Sequence, residues 1–226
     1  IASEEFDRRH DDPAFFGSKG LDPALVPRIV ERAHGAGLRV FAHIDSAHDF
    51  HVAVDSGVDV IAHLGGFNEP MRIDPADARL AAQRGVEVIT TTSLTERRRE
   101  RVSAELYDAI VSAQIENLRL LRDAGVTLAV GSDEPRATST FEIAYLRGLN
   151  AFSNAELLRM WSRDCSATLF PGRQLGRVEP GYEASFLVLS ANPLEDFDNT
   201  SSIVMRLKEG RVLNVPPPLP DEEDDG

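Results

Sequence analysis

Four times in succession a helix-length segment leads through a glycine into a short apolar strand, and this alternation does most to limit the folds open to the chain. Residues 22–36 carry Leu25, Ile29, Val30 and Ala33 at helical spacing, with Asp22 set to cap the start and Pro23 at the first helical position. Further helices are expected at 47–56, 74–84 and 104–124, and strands at 38–43, 58–63, 86–91 and 126–133. Gly57, Gly85 and Gly125 each stand just before a strand. Strands alternating with helices of this length predict parallel βα units, a sheet covered by helices.

After Asp133 the rhythm changes. Helices are expected at 140–149 and 154–169, the second capped by Ser153 or Asn154. From Gly172 the chain is rich in turns and β-formers, with a strand at 185–189 and a hairpin that turns at Lys208-Glu209-Gly210 between 203–207 and 211–213. Three regions follow: 1–171, the βα body; 172–215, part of a small antiparallel β domain; and 216–226, a proline-rich, acidic tail expected to be disordered.

Charge narrows the function. The 226 residues hold 37 Asp and Glu against 24 Lys and Arg, a net charge of −13, five units of it in Asp221–Asp225. A body this acidic is a poor match to nucleic-acid phosphates or an anionic membrane, and no apolar run reaches the roughly 18–20 residues of a spanning helix. A small-molecule substrate fits better. No signal sequence is visible at Ile1; the one cysteine, Cys165, permits no internal disulfide and fits a reducing, cytoplasmic compartment.

Chemistry on parallel α/β folds collects at the carboxyl ends of strands. Three of the four strands end here in a metal-competent residue: His43, His63 and Asp133. The first two are one βα repeat apart, so their imidazoles stand on neighbouring parallel strands, with backbones about 4.8 Å apart. Two imidazoles so placed can share one divalent ion at about 2.0–2.1 Å per bond. Asp133 can ligate a metal or take a proton from bound water. His48 and His51, three apart on one helix face, and Thr91, at the end of a strand in the run Thr90-Thr91-Thr92, are candidate substrate contacts. Asp45 and Ser46 read as caps, Arg97-Arg98-Arg99 as a solvated loop, His10 and His34 as surface, and Cys165 and Trp161 as core.

Three segments, 33–43, 54–63 and 124–133, together with 175–189, Asn192-Pro193-Leu194-Glu195-Asp196 and Lys208-Glu209-Gly210-Arg211-Val212, resemble the amidohydrolase superfamily, in its imidazolonepropionase-like and prolidase-like branch. The resemblance implies an α/β fold, a partial TIM-like (β/α) barrel of strands five to eight followed by part of a small antiparallel β domain. His43 then matches the ligand ending the fifth strand, His63 the ligand on the sixth, and Asp133 the aspartate after the eighth, which binds metal and shuttles a proton. The implied activity is metal-dependent hydrolysis of amide, cyclic amide or peptide-like C–N bonds. The implied cofactor is one or two divalent ions, zinc first among the candidates.

The departures are as informative. The family pattern has a His-x-His pair on the first strand and, in many members, a metal-bridging lysine on the fourth; the sequence has no His-x-His, and its two lysines, Lys19 and Lys208, fill neither role. The resemblance therefore implies a C-terminal portion, whose partner is the missing N-terminal half of the barrel or, alternatively, another copy in a homo-oligomer. On its own such a chain is expected to be a poor hydrolase. Two alternatives stay open: a non-catalytic fragment or pseudo-enzyme with an assembly role, and isomerisation or decarboxylation on the same fold.

Overall fold

The computed structural model describes residues 12–15, 20–67, 69–133 and 138–214. The acidic tail, His10 and Lys19 lie outside the described residues. After a 3₁₀ turn at Pro23–Leu25, capped by the Asp22 carboxylate on the Ala24 N–H, comes α1, Val26–Gly35. Then follow β1 (Phe41–Ala42), α2 (Ala47–Ser56), β2 (Val60–Ile61), α3 (Pro75–Arg84), β3 (Glu87–Ile89), α4 (Ala104–Ala124) and β4 (Leu128–Ala129). Each helix has a local cause. A capping box of Ser46 and Asp49 opens α2, Asp74 with Pro75 opens α3, and Ser103 accepts the Leu106 N–H to open α4. Gly57, Gly85 and Gly125 end these three helices in the left-handed conformation, at φ +80°, +70° and +88°.

The four strands form one sheet in the order β1-β2-β3-β4, every pair parallel. The register aligns Ala42, Ile61, Val88 and Leu128 in one row. That row packs on the helices, in a core with Val30, Phe50, Val54, Leu118, Leu121 and Leu146. Burying one such side chain is worth about 1.5–3 kcal/mol. The regular ladders are shorter than the expected strands. Pairing nonetheless continues at their ends, for the Ala62 N–H donates to the Ala42 carbonyl at 2.8 Å and the Thr90 N–H to the Ala129 carbonyl at 2.8 Å. By the two-residue alternation of strands, Phe41, Ile89 and Ala129 fall on the face away from that row.

Beyond the sheet lie α5 (Ser139–Gly148), α6 (Asn154–Arg159), a π-helical turn (Met160–Asp164) and α7 (Cys165–Leu169). The single helix expected over 154–169 is thus interrupted by a π-helical turn, within which buried Asp164 pairs with Arg159 and Arg163. Trp161 stacks on Phe197 and donates to Ser139 Oγ at 2.8 Å. Cys165 is part-buried, its Sγ accepting the Val130 N–H at 3.0 Å.

A second sheet holds β5 (Phe186–Leu189), β6 (Ile203–Lys208) and β7 (Arg211–Val212), all antiparallel. Lys208 pairs with Arg211 across Glu209 and Gly210, both at positive φ, which is the twist a two-residue hairpin turn requires. Leu187, Val204, Val212 and Leu213 on this sheet are exposed, as is Phe41 on the edge strand β1. Among the described residues no helix is long and apolar enough to cross a membrane.

Candidate metal centre

Beyond the carboxyl ends of β1, β2 and β4, His43, His63 and Asp133 come close to one another. The two imidazoles meet edge to face, with ring centroids 4.9 Å apart and planes at 75°. Asp133 Oδ2 stands 3.9 Å from His63 Nδ1, and Asp133 takes a left-handed backbone, φ +46°. A non-glycine residue in that conformation is strained, and such strain gathers where a side chain must be aimed.

Two glycines let these strand ends approach. A Cβ on Gly65, two residues beyond His63, would lie 2.7 Å from the Asp45 carbonyl oxygen, so the loops after β1 and β2 touch backbone to backbone. A Cβ on Gly131 would lie 2.5 Å from Ile89 Cγ2 and 3.1 Å from the Thr90 carbonyl oxygen, which closes β4 onto β3 beside Asp133.

The two histidines are held differently. His43 is 62% exposed, and its Nε2 lies 3.4 Å from Asp45 Oδ2. The hydrogen bond to Asp45 raises the His43 pKa, and the same contact lowers that of Asp45. Asp45 is thus a partner of His43, whereas the helix cap falls to Ser46 with Asp49. His63 is 20% exposed, and burial lowers its pKa, favouring the neutral ring that a metal ligand needs. Its Nδ1 is hydrogen-bonded to Thr91 Oγ1 at 3.3 Å.

The other expected site residues lie as follows. Thr91 is buried with its hydroxyl on His63. His51 is exposed and pairs through Nδ1 with Asp77 of α3 at 2.8 Å, while the His48 ring stands 6.5 Å from the His51 ring. Sequence reasoning missed the Asp45 contact, the Thr91 contact and the two glycines, although the pair Gly65-Gly66 so soon after His63 was a visible sign of close packing.

The donor chemistry fits a divalent cation in part. His63 Nδ1 is taken by the Thr91 hydroxyl, which leaves Nε2 as the ring nitrogen that could meet a cation. Among the described residues, however, no three His, Cys, Asp or Glu groups are gathered tightly enough to hold an ion.

Comparison with known proteins gives this arrangement its context. Ochratoxinase from Aspergillus niger is 24% identical over 224 residues, covering 92% of this chain and 44% of that protein. Imidazolonepropionase from Chromobacterium violaceum is 27% identical over 188 residues, covering 80% and 42%. The crystal structure of the same ochratoxinase superposes with a TM-score of 0.73 at 21% identity, covering 88% of this chain and 46% of that one. A prolidase crystallised with N-methylphosphonate-L-proline superposes at 0.66 with 25% identity, covering 84% and 48%. The chain therefore spans less than half the length of the curated relatives it matches. The Amidohydrolase family profile matches residues 14–213, nearly all of the sequence, and the chain belongs to the amidohydrolase family.

Proposed function

We propose that this chain supplies the distal half of a metal-dependent amide hydrolase site, built on strands five to eight of the family barrel. His43 and His63 would hold a divalent cation, zinc first, and Asp133 would take a proton from the attacking water and return it to the leaving nitrogen. A cation held there supplies Lewis acidity and brings a bound water to a pKa of about 7. The substrate class is a small amide, cyclic amide or peptide-like compound, the class to which the names of the ochratoxinase, imidazolonepropionase and prolidase relatives point. The observation that carries this reading is the convergence of two imidazoles and a carboxylate from three strand ends, rings 4.9 Å apart and Asp133 3.9 Å from His63.

The remaining ligands would come from outside the described residues, either from an N-terminal half of the barrel or from a second copy in a homo-oligomer. The exposed Phe41 on the sheet edge and the exposed apolar residues of the second sheet support such a neighbour, as does the twofold length of the structural relatives. The region boundaries at 171 and 215 belong to this same proposal.

A second reading, a non-catalytic fragment with an assembly role only, is favoured by one observation: the described residues gather no three-group metal cluster. Zinc titration by calorimetry separates the two. The hydrolase reading expects zinc binding by the 226-residue chain that falls at least about tenfold in His43→Ala and in His63→Ala. Binding that is absent, or indifferent to both substitutions, supports the assembly reading.

A further inference from the structure

Glu142, on α5, is fully buried, and among the described residues no arginine, lysine or histidine is hydrogen-bonded to its carboxylate. It is occupied instead by one turn. The Thr92 N–H donates to Oε1 at 3.0 Å, the Thr92 hydroxyl to the same oxygen at 2.9 Å, and the Ser93 N–H to Oε2 at 2.7 Å. Gln114 of α4 grips the same turn from another side: its Nε2 donates to Thr95 Oγ1 at 2.7 Å and to the Thr92 carbonyl at 3.4 Å, while its Oε1 accepts the Tyr145 hydroxyl at 2.8 Å. The residue immediately before this clamped turn is Thr91, whose hydroxyl meets His63 Nδ1.

A buried carboxylate is a costly way to fill space, since it must replace its hydration with directed donors. A leucine would fill the same volume. What an acceptor pair adds is direction: two consecutive backbone N–H groups aimed at one carboxylate fix the peptide planes of residues 92 and 93, and through them the bearing of Thr91. We propose that Glu142 is a positioning residue for His63, acting through the Thr92–Ser93 backbone to hold the Thr91 hydroxyl against His63 Nδ1 and so to set the orientation of that imidazole toward a metal. The inference rests on the reading of His63 as a ligand and adds a residue more than one contact removed from it. Partners that orient a ligating histidine characteristically change metal affinity by about 10–100-fold when lost.

Two isosteric substitutions test it. Glu142→Gln keeps the volume but turns an acceptor into a donor facing the Thr92 or Ser93 donors; Thr91→Val removes the hydroxyl alone. Zinc affinity by calorimetry on the full chain is expected to fall about tenfold in each. In the double variant it is expected to fall no further than in the weaker single, because both act along one path. In metal-free protein at fixed alkaline pH, the His63 Nδ1 ¹⁵N chemical shift is expected to move in the same direction in both single variants, a signature that general loosening of the core does not produce. An unchanged Nδ1 shift in Glu142→Gln overturns the proposal, and so do additive losses of zinc affinity. If wild-type chain shows no zinc binding that depends on His63, the hydrolase reading falls, while the Nδ1 shift still decides whether Glu142 positions this ring.

Discussion

At the scale of single residues, the site depends on how closely two loops can lie. Gly65 occupies the one place where the segment after His63 runs against the Asp45 backbone, and a methyl there would meet the carbonyl oxygen at 2.7 Å with no flexible side chain to give way. Gly65→Ala is therefore expected to destabilise the chain by about 1–3 kcal/mol, the usual cost of overpacking, and to push the His43–Asp45 segment away from His63. Denaturant unfolding measures this; a change within about 0.5 kcal/mol would mean that the loops do not touch as described. The residues proposed as the site, His43, His63 and Asp133, stand out in the sequence because each ends a recognisable apolar strand. Their partners do not. Asp45 reads equally well as a helix cap, Thr91 is one of three consecutive threonines, and Glu142 looks like any solvent-facing acid of a helix, because pairing between residues 28 or 50 positions apart leaves no local trace.

At the scale of elements, the βα units are fixed by short-range signals, which is why the sequence foretold them well. Capping residues, Pro at the first turn and left-handed glycines at the exits all lie within a few residues of the boundary they set. The π-helical turn at 160–164 escaped notice because the pairing of buried Asp164 with Arg159 and Arg163 leaves the helical spacing of apolar residues unchanged. Neighbouring helices are also tied by charge. His51 of α2 bonds Asp77 of α3, and that bond, with Asp55 and Asp74 nearby, raises the His51 pKa. A histidine with a folded pKa above its unfolded value stabilises the fold fully below the unfolded value of about 6.5, and this contribution is lost as pH rises through the folded value. The pair is exposed, so screening limits it to a few tenths of a kcal/mol. His51→Ala is expected to lower stability by that amount near pH 5.5 and to have no effect near pH 9. Thermal unfolding at the two pH values checks this, and an equal loss at both would show that His51 acts by packing instead of charge.

At the scale of the whole molecule, the four-stranded parallel sheet in sequential order is the α/β arrangement expected from the rhythm of the sequence, and a three-stranded antiparallel sheet follows it. The edge strand β1 presents Phe41 at 44% exposure, and β5 and β6 present Leu187 and Val204 to solvent. Open sheet edges with exposed apolar side chains invite pairing with a neighbour, which accords with the proposal that further ligands come from outside the described residues. The central claim is that His43 and His63 hold one ion together, with Asp133 beside them. X-ray absorption at the zinc edge of the zinc-loaded chain tests it most directly. The account predicts scattering from two imidazoles at about 2.0–2.1 Å, with the remaining coordination from oxygen, and loss of one imidazole in His63→Ala. A zinc environment without imidazole scattering, or one unchanged in His63→Ala, would contradict it.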